Sequence, residues 1–236
     1  MAFFHQPARR QPFLRAPAIV LLLIAALLAI HATRVVFYPE AMPQIVYQYG
    51  FIPARYSHQY LSSHFVRGGS LLERAIPFAS YMFLHADWTH VGMNSIWLLP
   101  FGSMVARRYG GGLFLLFFLI CGIAGAAIHL ALNWGSTSPV IGASAAISGM
   151  MGVAFRVTPN APEAPLHPLF SRPVVMFSLV WILINAVAGM TGFGAGPGVH
   201  LVAWEAHIGG YFAGLLLAGP FDRVSHARRK YPEEAA

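Results

Sequence analysis

Two residues have types and surroundings that could do chemistry together. Ser144 lies in Ile141-Gly142-Ala143-Ser144-Ala145-Ala146-Ile147-Ser148-Gly149, a run of small and apolar residues without charge. His207 lies in Ala206-His207-Ile208-Gly209-Gly210, also apolar. A hydroxyl beside an imidazole is the nucleophile and general base of acyl transfer, the imidazole taking the hydroxyl proton as the oxygen attacks a carbonyl carbon. The reaction also needs donors aimed at the oxygen that becomes negative. His90 and Asn94 are four residues apart and so share a helix face; with the Ser144 N–H they are the candidate donors. A lone serine in an apolar helix ordinarily bonds its own backbone or packs at an interface, so the reading rests on all four residues meeting. No acid is placed to orient the imidazole, because Glu205 is two residues from His207 and points the other way. The chemistry indicated is a dyad. A metal site at His85, Asp87 and His90 lacks convergence: His85 and His90 are about 140° apart on a helix, and no His-Glu-x-x-His motif is present. No metal and no cofactor is expected.

The elements that would carry these residues are membrane spans. The chain is 57% hydrophobic and 10% charged, well under the roughly one-quarter charged residues of soluble domains. Six apolar runs approach the length that crosses a bilayer: 17–36, 84–105, 112–132, 141–156, 173–190 and 200–219. They do not alternate as barrel strands would, so the expected fold is an all-α membrane protein, a six-helix bundle. The net charge of +7 is explained by topology. Arg9, Arg10, Arg15, Arg107, Arg108, Arg156, Arg172, Arg223, Arg228, Arg229 and Lys230 fall on one side of a six-pass arrangement, and only Arg34, Arg55, Arg67 and Arg74 on the other. The positive-inside rule then puts both termini in the cytoplasm, and no nucleic-acid partner is implied. The single cysteine, Cys121, excludes a disulfide within the chain. The N-terminal basic residues and apolar run have the outline of a signal peptide, but the run continues through Val35-Val36-Phe37 and is read as a retained helix. The expected organisation is a cytoplasmic tail over 1–16, a membrane domain over 17–219 with an external loop at 38–83, and a basic cytoplasmic tail over 220–236. The first helix reads as an anchor, and the external loop as lying on the membrane surface. The segment 191–199, with four glycines in nine positions, is a candidate movable cap.

The cytoplasmic arginines serve as a depth ruler at about 1.5 Å per residue. Ser144 is roughly 18 Å from Arg156, Asn94 roughly 20 Å from Arg107, and His207 roughly 20 Å from Pro220, where the last helix is expected to stop. In a hydrocarbon layer of about 30 Å, Ser144, His90, Asn94 and His207 therefore share one level below the outer surface. The stretch from Ser144 to Arg156 is too short to span, so Pro139–Ala143 must descend as non-helical backbone buried in protein. The fourth helix then starts inside the membrane with the free N–H groups of its first turn at Ser144. Gly149, Gly152 and Gly210, with neighbouring alanines, supply small-residue surfaces that let the fourth and sixth helices approach closely.

Gly142-Ala143-Ser144, Ala206-His207-Ile208-Gly209-Gly210 and His85 … His90-x-x-x-Asn94, in this order on six helices, resemble the rhomboid intramembrane serine proteases. The resemblance covers about 75–218. It implies that Ser144 is the nucleophile, His207 the general base, and His90 and Asn94 the lining of the oxyanion hole. It implies transmembrane protein substrates cut near their outer end. The expected location is a bacterial inner membrane. The 38–83 loop would be the membrane-embedded first loop, the fifth helix the substrate gate and 191–199 the cap. Three positions depart from the family pattern: Ala145 replaces a usual glycine, Ser148 an aromatic, and Ala106 a glutamate. The alternative is a rhomboid-like protein that binds or delivers transmembrane clients without cutting them. A transporter using His207 and Glu205 as a proton relay would require broken helices in both halves, and the chain offers one.

Overall fold

The computed structural model describes residues 16–57, 62, 71–158, 161–191 and 203–230. Residues 1–15 of the expected N-terminal tail, the last six residues of the expected C-terminal tail and all of the expected cap except Thr191 lie outside them. The described chain is helical, with two isolated antiparallel bridges, Phe51–Val140 and Thr158–Ala161. Six helices exceed ten residues: α1 (Ala18–Phe37), α2 (Trp88–Tyr109), α3 (Gly111–Leu132), α4 (Ser144–Ala154), α5 (Arg172–Thr191) and α6 (Trp204–Lys230). Three of them, α1, α3 and α5, are long and apolar enough to cross a membrane. The other three expected spans are not of that kind: two carry polar residues and one is short. α2 holds His90 and Asn94, α6 holds Glu205 and His207, and α4 is an 11-residue rod.

α4 is the centre of the molecule, packed on α6, α3 and α2. Eight of its residues, from Ala145 to Val153, are buried. Its contact with α6 is made backbone to backbone. A Cβ on Gly210 would lie 2.0 Å from the Ala145 carbonyl oxygen, and one on Gly214 would lie 2.0 Å from that of Gly149. Gly149 is likewise closed in by Cys121 and Gly210, and Gly152 by Tyr211 and Leu215. Small residues here let the two axes approach as larger ones would not.

The segment before α4 descends without helical bonds, and the external loop supplies its partners. Phe51 N–H donates to the Val140 carbonyl (3.0 Å), Val140 N–H to that of Phe51 (2.8 Å), Ala54 N–H to Ser136 (2.8 Å) and Gly142 N–H to Tyr81 (2.9 Å). Phe51 is buried, with its ring 4.8 Å from that of Phe78 and 5.5 Å from that of Tyr56. The expected surface-lying loop is thus also an internal strut.

Two further expectations change. α6 does not stop at Pro220 but runs through it to Lys230. Proline removes one helical hydrogen bond, and contacts around it hold the helix. Arg108 makes a two-pronged bond to Asp222 (2.6 and 2.9 Å), the Tyr109 hydroxyl donates to the Ala218 carbonyl (2.9 Å), and the Ser225 hydroxyl donates to the Arg108 carbonyl (2.9 Å). α1, expected as an anchor only, buries His31 and Arg34. The Arg34 guanidinium donates to the His85 carbonyl and to Met42 Sδ, and the His31 ring meets Trp88 edge-on at 4.6 Å.

Gly210→Ala or Gly214→Ala is expected to destabilise the bundle by about 1–3 kcal/mol, as overpacking does. Gly112→Ala, where a Cβ meets nothing within 4 Å, is the control and leaves the midpoint unchanged or higher. Thermal unfolding in detergent, followed by circular dichroism, checks both.

Candidate active site

α2 is started by Asp87, whose carboxylate accepts from the His90 N–H at 2.8 Å. This cap fixes where the helix begins, and so puts His90 in its first turn with Asn94 one turn further in. The Ala86 N–H approaches His90 Nδ1 at 3.4 Å, which leaves Nε2 as the nitrogen that carries the proton. Asn94 is buried and donates one amide hydrogen to the His90 carbonyl (3.0 Å), leaving its second free.

The turn into α4 passes directly beneath these two side chains. Gly142 has φ +117, a conformation that favours glycine. A Cβ there would lie 2.6 Å from His90 Nε2 and 3.7 Å from Asn94 Nδ2. Glycine is therefore required twice, for the backbone angle and for the approach of the His90 ring. Ser144 follows as the first residue of α4, with no side chain capping the helix, so the first-turn N–H groups are open to an acceptor.

On α6, His207 faces Ser144. Its Nε2 lies 2.7 Å from Ser144 Oγ, within reach for proton transfer from hydroxyl to imidazole. Its other nitrogen, Nδ1, lies 2.9 Å from Asn185 Oδ1 on α5. The structure thus brings together Ser144 with His207, and His90 and Asn94 with the turn two residues before Ser144. Gly149, Gly152 and Gly210 lie in the α4–α6 contact. Glu205 points away from His207 to His129 on α3, 3.5 Å from its Nδ1. Among the described residues, no three His, Cys, Asp or Glu side chains converge as a metal would require.

Asn185 is the residue the sequence reading passed over. The signal was present: Asn185 is thirteen residues from Arg172, the same roughly 20 Å that placed Asn94 and His207.

The departures from the family pattern are accommodated locally. Ala145 is faced by Gly125 of α3, where a Cβ would lie 2.6 Å from that of Ala145. Ser148 donates to the Ser144 carbonyl at 2.8 Å. Near Ala106, the loop after α4 is held by Arg108, which donates to the Pro162 and Ala164 carbonyls.

A family model described as "Rhomboid domain" matches residues 72–222. Rhomboid protease GluP of Bacillus subtilis is 32% identical over 135 residues, covering 57% of this chain and 24% of that protein. Rhomboid protein 1, mitochondrial, of Saccharomyces cerevisiae is 26% identical over 158 residues, 65% of this chain and 44% of that protein. Rhomboid-like protein 11, chloroplastic, of Arabidopsis thaliana is 27% identical over 167 residues, 67% of this chain and 59% of that protein. The chain spans between a quarter and three fifths of the length of these relatives. The family match takes in α2, α3, α4, α5 and α6 up to Asp222, with Ser144, His207, His90 and Asn94 all inside it. This chain is an integral membrane protein and belongs to the rhomboid family.

Proposed function

We propose that the chain is an intramembrane serine endopeptidase that cuts transmembrane segments of other membrane proteins. The observation that carries this reading is the 2.7 Å contact between Ser144 Oγ and His207 Nε2, between two helices whose backbones touch. His207 accepts the Ser144 proton at Nε2 while Oγ bonds to the scissile carbonyl carbon. The resulting oxyanion takes donors from the Ser144 N–H, from His90 Nε2 and from the free amide hydrogen of Asn94. The proton on Nε2 passes to the leaving amine as the C–N bond breaks, and water, deprotonated by the same nitrogen, releases the acyl group. All six long helices cross or enter the bilayer, with both termini cytoplasmic and the site nearer the outer face. α1, α3 and α5 are the lipid-facing spans, and α2, α4 and α6 enclose the polar pocket. The domain boundaries of the reading are 17–219 for the membrane unit, with the basic tails outside it. Burial of non-helical backbone by the external loop supports the short α4 as a helix that begins within the membrane.

The decisive experiment uses a fluorophosphonate probe on detergent-solubilised full-length protein. Wild type is expected to label and Ser144→Ala and His207→Ala are not; equal labelling of all three removes the dyad and leaves a client-binding role. Asn94→Ala is expected to slow labelling by something like 10²-fold, as loss of an oxyanion donor does. A rate equal to wild type would take Asn94 out of the oxyanion hole. Co-expression with tagged single-pass proteins, scored for release, then identifies substrates.

A further inference from the structure

α5 is the most peripheral of the helices. Only Val174 and Gly189 are buried, while Phe177, Leu179, Val180, Leu183, Ile184, Val187 and Met190 are exposed. Its main neighbour is α6, and it docks there by one stripe: Val174, Ser178, Trp181, Asn185 and Gly189, at spacings of four, three, four and four that keep one helix face. Each meets α6. Val174 joins Tyr211 and Leu215 in one buried cluster. The Ser178 hydroxyl lies 2.5 Å from that of Tyr211, and the Trp181 ring stacks on Tyr211 at 4.5 Å and 19°. A Cβ on Gly189 would lie 2.2 Å from the Trp204 ring. In this stripe Asn185 is the residue that reaches the site, at 2.9 Å from His207 Nδ1.

Which way the amide faces decides what it does. Asn185 Nδ2 donates to the Trp181 carbonyl at 2.9 Å, one turn back on the same helix. Flipping the amide would set two oxygens against each other there, so Oδ1 is the atom held toward the imidazole. An acceptor at Nδ1 puts the ring proton on Nδ1 and leaves the Nε2 lone pair for the Ser144 hydroxyl. The opposite case is instructive. In aspartate-based triads, an amide in the aspartate position favours the wrong tautomer and costs about 10⁴ in rate. Here the Trp181 carbonyl removes that ambiguity, and the acid that could have served, Glu205, is engaged with His129.

We propose that Asn185 is a positioning residue for the reaction: it fixes the His207 tautomer through Nδ1, so that the base is correctly set only while α5 is docked on α6. The Nδ1 proton does not move during the reaction; only the proton on Nε2 does. The inference rests on the serine-protease reading and adds a fourth helix to the site.

The test measures fluorophosphonate labelling rates of the full-length protein over a range of probe concentrations, separating the maximal rate from the half-saturating concentration, with thermal midpoints alongside. Asn185→Leu keeps the volume and loses the acceptor. It is expected to lower the maximal rate at least about tenfold, with the half-saturating concentration within about twofold of wild type, since the group acts on the base rather than on probe binding. Asn185→Asp restores an acceptor at the same reach and is expected to recover most of the rate. A purely structural role would follow the thermal midpoint instead, with both variants losing rate in proportion to stability. Asn185→Leu labelling at the wild-type rate, or Asn185→Asp no faster than Asn185→Leu, overturns the proposal and leaves the dyad standing. Wild type labelling no faster than Ser144→Ala brings down the protease reading and this inference with it.

Discussion

The geometry of this molecule depends on the direct contact of two helix backbones. α4 and α6 approach until the carbonyls of Ala145 and Gly149 occupy the space where side chains of Gly210 and Gly214 would be. Neither axis can move closer, and Gly149 and Gly152 make equally close approaches along the same contact. A hydroxyl on the first residue of one helix and an imidazole in the first turn of the other are thereby held at 2.7 Å. A serine side chain is short, so this separation is unreachable unless the backbones touch. The precision of the polar contact is a by-product of apolar packing.

The second constraint follows from the first. With Ser144 as the first residue of α4 and held against His207, the chain leading into it runs without helical bonds and its peptide groups need other partners. Each unpaired peptide group in a bilayer costs several kcal/mol, on the order of 2–7. The external loop meets this demand with the Phe51–Val140 bridge, the Ala54–Ser136 bond and the Tyr81 carbonyl. The aromatic cluster of Phe51, Tyr56, Phe78 and Tyr81 keeps it there.

Much of this was legible in the order of residues because a helix rises uniformly. Depth along the membrane normal can be counted from a charged end, which is why Ser144, Asn94 and His207 could be set at one level, and why glycines on the fourth and sixth runs pointed to a close crossing. Rotation about the normal leaves no such trace. Asn185 lies at the same level as the others, yet nothing in the chain says that its face of α5 turns toward His207 rather than toward lipid. Contacts between segments distant in sequence were equally hidden. The continuation of α6 through Pro220 depends on Arg108, 114 residues away from Asp222, and local propensity alone argues for a stop. The external loop was read from its composition as surface-lying, because a strut and an interfacial loop share the same aromatic and aliphatic residues.

The first helix carries a last consequence. The segment that this chain shares with the family model begins at residue 72, so α1 lies outside it. Yet its buried guanidinium, Arg34, grips the carbonyl of His85, five residues ahead of His90, and its His31 braces Trp88, the first residue of α2. The matched segment and the mechanical unit of this protein therefore differ in extent: α1, outside the match, clamps the entrance to α2, the helix that carries His90 and Asn94.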